Sequence, residues 1–263
     1  MNKYLKINWR LLKNAYIRDS KMPAYLISGI AFHIVEIAVA IVFFDVLFSN
    51  TQNLAGWNFY QVLFLYGFGG FVVEINNGFT RGGIRKMASE LVRTGEYDFY
   101  VTKPIDSMFL VSFSRPRVFD FITAIFYLGI LGYALEKGNF ELGFINIIWF
   151  LFLTIFSFIL FYFLQALPII PIFWTVKGFS LQFMMGRMSQ FMKYPIGVFP
   201  RLIKIGLMTL FPIMAVSYLP VRTLFYPPEP EYIVYMVLVT FAFSVITKML
   251  WQFGEKNYGS ASS

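Results

Sequence analysis

Five stretches of this chain, at 24–48, 58–79, 109–135, 143–167 and 231–251, are apolar almost without interruption. A sixth, less regular apolar region lies between 168 and 220. A helix needs ~20 apolar residues to cross a hydrocarbon core ~30 Å thick, and each of the five is long enough. Only helices and closed barrels cross lipid, because no water is there to satisfy a bare backbone. The runs are continuous rather than alternating, which selects helices over a barrel. The pattern predicts an all-α polytopic membrane protein with about six transmembrane helices.

Composition supports this class. Charged residues make up 14% of the 263 positions, against ~25% in soluble domains. The membrane runs consume nearly the whole chain, so 1–263 reads as a single transmembrane domain with no room for a separate soluble catalytic domain. The absence of cysteine excludes disulfides, thiolate metal sites and thiol catalysis. The first twenty-odd residues do not read as a signal peptide: their charges are spread out, and the run at 24–48 is too long for a cleaved h-region.

The formal net charge is +8, from 22 Lys+Arg against 14 Asp+Glu. A nucleic-acid partner is one source of such an excess, but the positions favour basic loops on the cytoplasmic side of a membrane protein, and no nucleic acid. Lys3, Lys6, Arg10, Lys13, Arg18 and Lys21 precede the first run, and Arg81, Arg85, Lys86, Arg93 and Lys103 follow the second. The segment 49–57 has no Lys or Arg, and 136–141 has only Lys137. Both termini are therefore expected in the cytoplasm if the crossings number six. The fifth crossing is open. Charge favours 202–219, which keeps Lys177, Arg187, Lys193 and Arg201 inside. The alternative makes 168–192 the crossing and 202–222 a broken hairpin dipping into the outer leaflet. The prolines at 195, 200, 212, 220, 227, 228 and 230 suit short, broken helices.

Two non-membrane segments carry a pattern. At the N-terminus (1–22), Tyr4, Leu5, Trp9, Leu12 and Tyr16 recur at helical spacing apart from the basic residues, as in a helix lying in the membrane interface against anionic lipid. In the loop 81–107, Ile84, Met87, Leu91, Val92 and Phe99 suggest a short amphipathic helix ending near Thr94, with Gly95 as its C-cap and Lys103-Pro104 opening an extended turn. A surface helix of this kind suits docking in a groove of a cytoplasmic partner.

Several motifs, in order, resemble the permease subunits of bacterial ABC transporters of the type-2 exporter class, in the branch of uncharacterised transport-system permeases. Gly95, Asp98, Pro104 and Ile105 match a G-x-x-D-x-x-L-x-x-P-I loop, with Lys103 also matching and Val101 in place of Leu. Tyr194, Pro195, Pro200, Pro212, Tyr218 and Pro220 match a proline-rich segment, and Trp251, Gly254, Tyr258, Ser260 and Ala261 match a terminal tail. The resemblance covers essentially the whole chain. It implies an N-terminal interface helix, a cytoplasmic coupling helix between the second and third crossings, 168–192 as the fifth crossing, and an outer re-entrant region at 193–230. It also implies that Arg85, Glu90, Arg93, Gly95, Asp98, Lys103 and Pro104 couple to an ATPase. No G-x-x-x-x-G-K-[ST] motif occurs, so no enzyme activity or cofactor is expected in this chain. ATP and Mg would be held by partner ATPase subunits, and a second permease, identical or related, would complete the pathway.

Polar residues inside the runs are the pathway candidates, because an intramembrane ionisable group is expensive. His33 and Glu36 share a helix face, and Glu74 and Asn77, with Asn76, lie near the inner end of the second run. Asp45, Arg115 and Arg117 are near run ends, where they can snorkel. His33 and Glu36 also permit a different reading, a proton-coupled secondary transporter. No recognised metal-ligand spacing and no nucleophile–base constellation occurs, so no metal and no catalytic residue is expected.

Overall fold

The computed structural model describes residues 3–175 and 179–259. Its helices are α1 (Lys3–Asp19), α2 (Pro23–Asn50), α3 (Phe59–Lys86), α4 (Asp98–Val101), α5 (Ser107–Phe113), α6 (Val118–Gly138), α7 (Phe144–Ala166), α8 (Ile172–Thr175), α9 (Phe179–Met188), α10 (Arg201–Ile205), α11 (Ala215–Phe225) and α12 (Pro230–Lys256). The fold is all-α. Among the described residues, five helical segments are long and apolar enough to cross a membrane: Leu26–Asn50, Phe59–Leu91, Val118–Gly138, Phe144–Thr175 and Pro230–Lys256.

The second span is the core of the bundle. In its most apolar window 78% of residues are buried, against 6% in the first span, which is therefore peripheral. The start of α3 is set by a capping box: the Asn58 side chain accepts from Gln61 N at 2.9 Å, and Asn58 N donates to Gln61 Oε1 at 3.0 Å. Its glycines let other backbones reach the helix axis. A Cβ on Gly83 would lie 2.0 Å from the Val111 carbonyl oxygen, one on Gly82 2.1 Å from that of Arg115, and one on Gly69 2.9 Å from that of Met192. Small residues at such crossings are the usual means of close helix packing in lipid, where van der Waals contact replaces the hydrophobic drive.

The run at 109–135 is not one helix. It breaks at 114–117, where Pro116 disfavours helical geometry for the residue before it. Ser107–Phe113 becomes a short separate helix, and the crossing begins at Val118. The amide of Val118 donates to Asp19 Oδ2 at 3.0 Å, and Arg18 donates to the Pro116 carbonyl at 2.7 Å. The end of α1 thus caps α6 from outside, satisfying a donor that a helix start leaves bare. Along α1, Trp9 and Tyr16 are exposed. At its far end α6 stops at Asn139, which takes the left-handed conformation (φ 47°).

The segment 168–192 is likewise not one helix. A 3₁₀ turn (Leu167–Ile169) and α8 follow α7, then α9 and a 3₁₀ turn (Ser189–Lys193); Lys177 and Gly178 lie outside the described residues. Phe173 packs on Trp251 at the basic end, Met192 meets Gly69 about a third of the way along α3, and Gly197, beyond the segment, touches Ala55 at the charge-poor end. The stretch favoured by charge as the fifth crossing, 202–219, is instead a bent pair: the helical segments Arg201–Leu210 and Ala215–Phe225 meet at 103°. The chain entering the pair lies beside Ala55. The chain leaving it is held by Asn146, which donates to the carbonyls of Thr223 (3.0 Å) and Tyr226 (2.8 Å). Both arms therefore return to the charge-poor end, and near the bend Ser217 donates to the Met192 carbonyl at 2.6 Å. At 1.5 Å per residue, Gly69 is ~15 Å along α3, so the bend lies about that far from the charge-poor end.

The glycine contacts set a direct test. Gly83→Ala places a methyl against a backbone carbonyl that cannot rotate away, and is expected to cost at least ~1–3 kcal/mol. Gly129→Ala, with nothing within 4 Å of its added Cβ, is expected to be neutral or stabilising by ~0.5–1 kcal/mol. Thermal unfolding of both variants in mild detergent reads the difference; equal melting temperatures would contradict the packing role of α3.

Candidate functional site

Two features carry chemistry. The first is a cavity of about 800 Å³ inside the bundle, walled by α2, α3, α6, α7, α9 and the turn at 189–194. It gathers all four pathway candidates, His33, Glu36, Glu74 and Asn77. Lys193 lines it with a side chain only 8% exposed, and its ammonium lies 3.3 Å from Glu36 Oε1. His33 Nδ1 lies 3.2 Å from Glu36 Oε2. The Lys193 ammonium also lies 3.5 Å from the Tyr127 hydroxyl and faces the Tyr66 and Tyr127 rings at 5.0 and 5.7 Å. A cation facing two aromatic rings and a carboxylate is a well-matched way to hold a charge in lipid.

Deeper in the wall, Gln165 joins α7 to α3. Its Nε2 donates to Asn77 Oδ1 at 3.0 Å, and its Oε1 accepts from Thr80 at 2.9 Å. Glu74 accepts from Thr123 of α6 at 3.2 Å. Behind it the fully buried Asp120 lies 3.9 Å from Arg81 and 3.5 Å from Arg117. Asn76 donates to the Val72 carbonyl within its own helix. Asp45 and Arg115 are exposed, away from this cluster.

Sequence reasoning placed Lys193 among the inner-loop charges, and did not identify Tyr127, Gln165 or Arg187 as lining a cavity. The only signal for Lys193 was its position at the end of an apolar stretch, just before Tyr194-Pro195. Glu36 is tied to a lysine from a distant part of the chain, so the His33–Glu36 spacing alone does not describe the site.

The second feature is the loop 81–107. It is not a free surface helix. The second span runs on through a π-helical turn, Met87–Leu91. Met87, Leu91, Val92 and Tyr97 are buried in a second core with Phe163, Ile169, Phe173 and Trp251. Gly95, at φ 74°, turns the chain where an L side chain would be strained. Tyr97 stacks edge-on against Phe173 and Tyr258, each at 5.2 Å, and burial pushes its hydroxyl above the usual tyrosine range, keeping it neutral. Lys86 pairs with Glu96.

Phe99 was expected on the buried face; it is instead 68% exposed, because Gly95 redirects the chain into α4 before it is reached. In the same loop Glu90, Arg93, Val101, Lys103 and Pro104 are also exposed, while Asp98 is half-buried in the first turn of α4; Arg85, though exposed, lines the cavity. Lys103 lies over the Tyr100 ring at 5.6 Å. The protruding tip is fixed to the last helix: Ser107 donates to Glu255 Oε2 at 2.7 Å and accepts from Trp251 Nε1 at 3.0 Å.

The ion pair in the cavity predicts a double-mutant signature. Lys193→Met leaves the Glu36 carboxylate short of its cation. Removing one partner of a fully buried pair costs ~3–5 kcal/mol; Glu36 opens to the cavity with a third of its side chain exposed, so about 1–3 kcal/mol is expected here. Adding Glu36→Gln should recover most of it, as thermal unfolding of the single and double variants reads. Additive losses would show that the pair is not coupled.

A family model described as "ABC-2 family transporter protein" matches residues 34–262. No curated protein and no solved structure matches the chain. The match takes in the cavity apart from Phe32 and His33, the loop 81–107, the bent pair and the last helix, and the chain belongs to the ABC-2 transporter family as a multi-pass membrane permease subunit.

Proposed function

We propose that this chain is one half of an export pathway in a bacterial cytoplasmic membrane, driven by separate ATPase subunits that hold ATP and Mg. Two copies, or this chain and a related permease, would enclose the pathway. The observation that carries the reading is the loop 81–107: an exposed tip of Phe99, Val101 and Lys103 on a base that continues the second span and packs against two others. Movement of a partner bound at the tip would be transmitted through Tyr97, Phe173, Ser107 and Glu255 into α7, α12 and, along the continuous span Phe59–Leu91, to the wall of the cavity. Glu90, Arg93, Lys103 and Pro104 would meet the ATPase, Arg85 would link the loop to the cavity it lines, Gly95 would set the turn, and Asp98 would start the tip helix. The proton-coupled alternative has no support from the family, and the Lys193 contact gives Glu36 a structural partner.

In this reading both termini are cytoplasmic, α1 lies in the membrane interface against anionic lipid, and the bent pair opens to the outer face. The charge-poor connections, with no Lys or Arg in 49–57, favour that orientation.

Phe99→Asp touches no core residue and is expected to leave folding intact while lowering recovery of the ATPase subunit in affinity purification by about tenfold, the effect of losing one central aromatic anchor. Undiminished recovery would remove the tip from the interface. Orientation is tested by cysteine labelling, without background because the chain has no cysteine. Asn53→Cys and Arg201→Cys should react with an impermeant maleimide in intact cells, and Thr102→Cys only after permeabilisation. Protection of Arg201→Cys in intact cells would restore 202–219 as a crossing.

A further inference from the structure

The charge and shape of the cavity go beyond the assignment of a pathway. Four cations line it, Arg81, Arg85, Arg187 and Lys193, against two carboxylates, Glu36 and Glu74. With both carboxylates ionised and Asp120 set against Arg81, one positive charge remains in excess. Lys193 is committed to Glu36 and Arg81 approaches Asp120. Arg187 is different: its guanidinium lies over the Phe183 ring at 5.0 Å, and among the described residues no carboxylate pairs with it. A guanidinium placed on an aromatic face keeps its N–H edge directed outward, the geometry that receives a carboxylate, sulfonate or phosphate. The low-dielectric walls strengthen the field of the excess charge.

The rest of the lining is apolar and large. Phe32 of α2 and Phe183 of α9 both line the cavity and are 69% and 59% exposed, with Val73, Phe161 and Met185 farther in. A volume of this size admits a drug-sized body, and Met with aromatic side chains accommodates varied shapes.

We propose that the cavity binds an amphiphilic anion: a compact anionic group held by Arg187 in the field of Lys193 and Arg81, with an aromatic or aliphatic body lodged between Phe32 and Phe183. The proposal rests on the reading of this cavity as the pathway, and names the substrate class that the pathway selects. The same chemistry is offered by an anionic lipid headgroup and by a free amphiphilic anion.

The test uses the whole chain in nanodiscs of zwitterionic lipid and two probes sharing one apolar body, pyrenebutanoate and pyrenebutylamine. Binding is read as quenching of intrinsic tryptophan fluorescence beyond that caused by partition into the lipid. The carboxylate is expected to bind about tenfold more tightly than the amine, the scale of one charge-assisted contact. Arg187→Lys should keep the preference and Arg187→Glu should abolish it. Arg187→Gln should abolish it too, and covers the case in which the charge reversal does not fold. Equal or tighter binding of the amine, or a preference unchanged in Arg187→Gln, overturns the proposal. Introducing phosphatidylglycerol separates the sources: displacement of the probe assigns the site to an anionic lipid headgroup, and undisturbed binding assigns it to a free anion, both within the proposed class. ATP hydrolysis by the complex with its ATPase subunits is measured separately. A probe that binds with the expected preference but leaves hydrolysis unchanged upholds the anion site and removes its role as the transport pathway.

Discussion

The arrangement depends on how closely other backbones approach α3. In lipid there is no hydrophobic drive to bring helices together, so the available terms are dispersion and the few polar contacts that close contact permits. Gly82 and Gly83 admit the backbone around α5, and Gly69 admits the carbonyl of Met192. Those approaches place the break at 114–117 beside Arg81 and Asp120, and the turn at 189–193 beside Glu36. A side chain at these glycines would push both segments outward, opening the cavity wall and separating Lys193 from its carboxylate.

Lys193 shows why the interior is polar at a defined place rather than throughout. An ammonium and a carboxylate removed from water cost several kcal/mol each unless geometry and further contacts offset it. Here two tyrosine rings, a tyrosine hydroxyl and a histidine surround the pair. The pair also joins α2, the least buried span, to the segment that runs beside α3. Few contacts besides this pair hold the peripheral helix, so binding in the cavity would act on its position through the pair.

The loop 81–107 and the cavity are mechanically one unit. The second span forms the wall of the cavity and then runs without interruption into the base of the exposed tip. The aromatic cluster of Tyr97, Phe173, Trp251 and Tyr258 anchors the same base to the ends of the bundle. Packed interfaces shift between discrete arrangements rather than deforming smoothly, so in the proposed reading a displacement at the tip would be carried as rigid-body movement.

Much of the fold was legible from one dimension. Apolar length located the spans α2, α3, α7 and α12, because ~20 residues are needed to cross lipid whatever the neighbours are. Gly95 announced the turn in the loop, since a residue with φ 74° has few alternatives. Helical spacing put His33 and Glu36 on one face. Charge placement favoured one crossing at 202–219, where the structure has two helical segments meeting at 103°, because loop charge does not report a bend such as the one near Pro212. It misled at Lys193 for a related reason: a lysine beside a proline-rich segment looks like a loop residue until the fold brings Glu36, Tyr66 and Tyr127 around it from positions far apart in sequence. Phe99 looked like a member of the buried face until Gly95 redirected the chain. The sequence by itself determined that this protein lies in a membrane, roughly how many times it crosses, and which polar residues are costly there. Only the tertiary structure decided which of those residues meet and which face the loop exposes, because both depend on pairings between distant segments that no local pattern encodes.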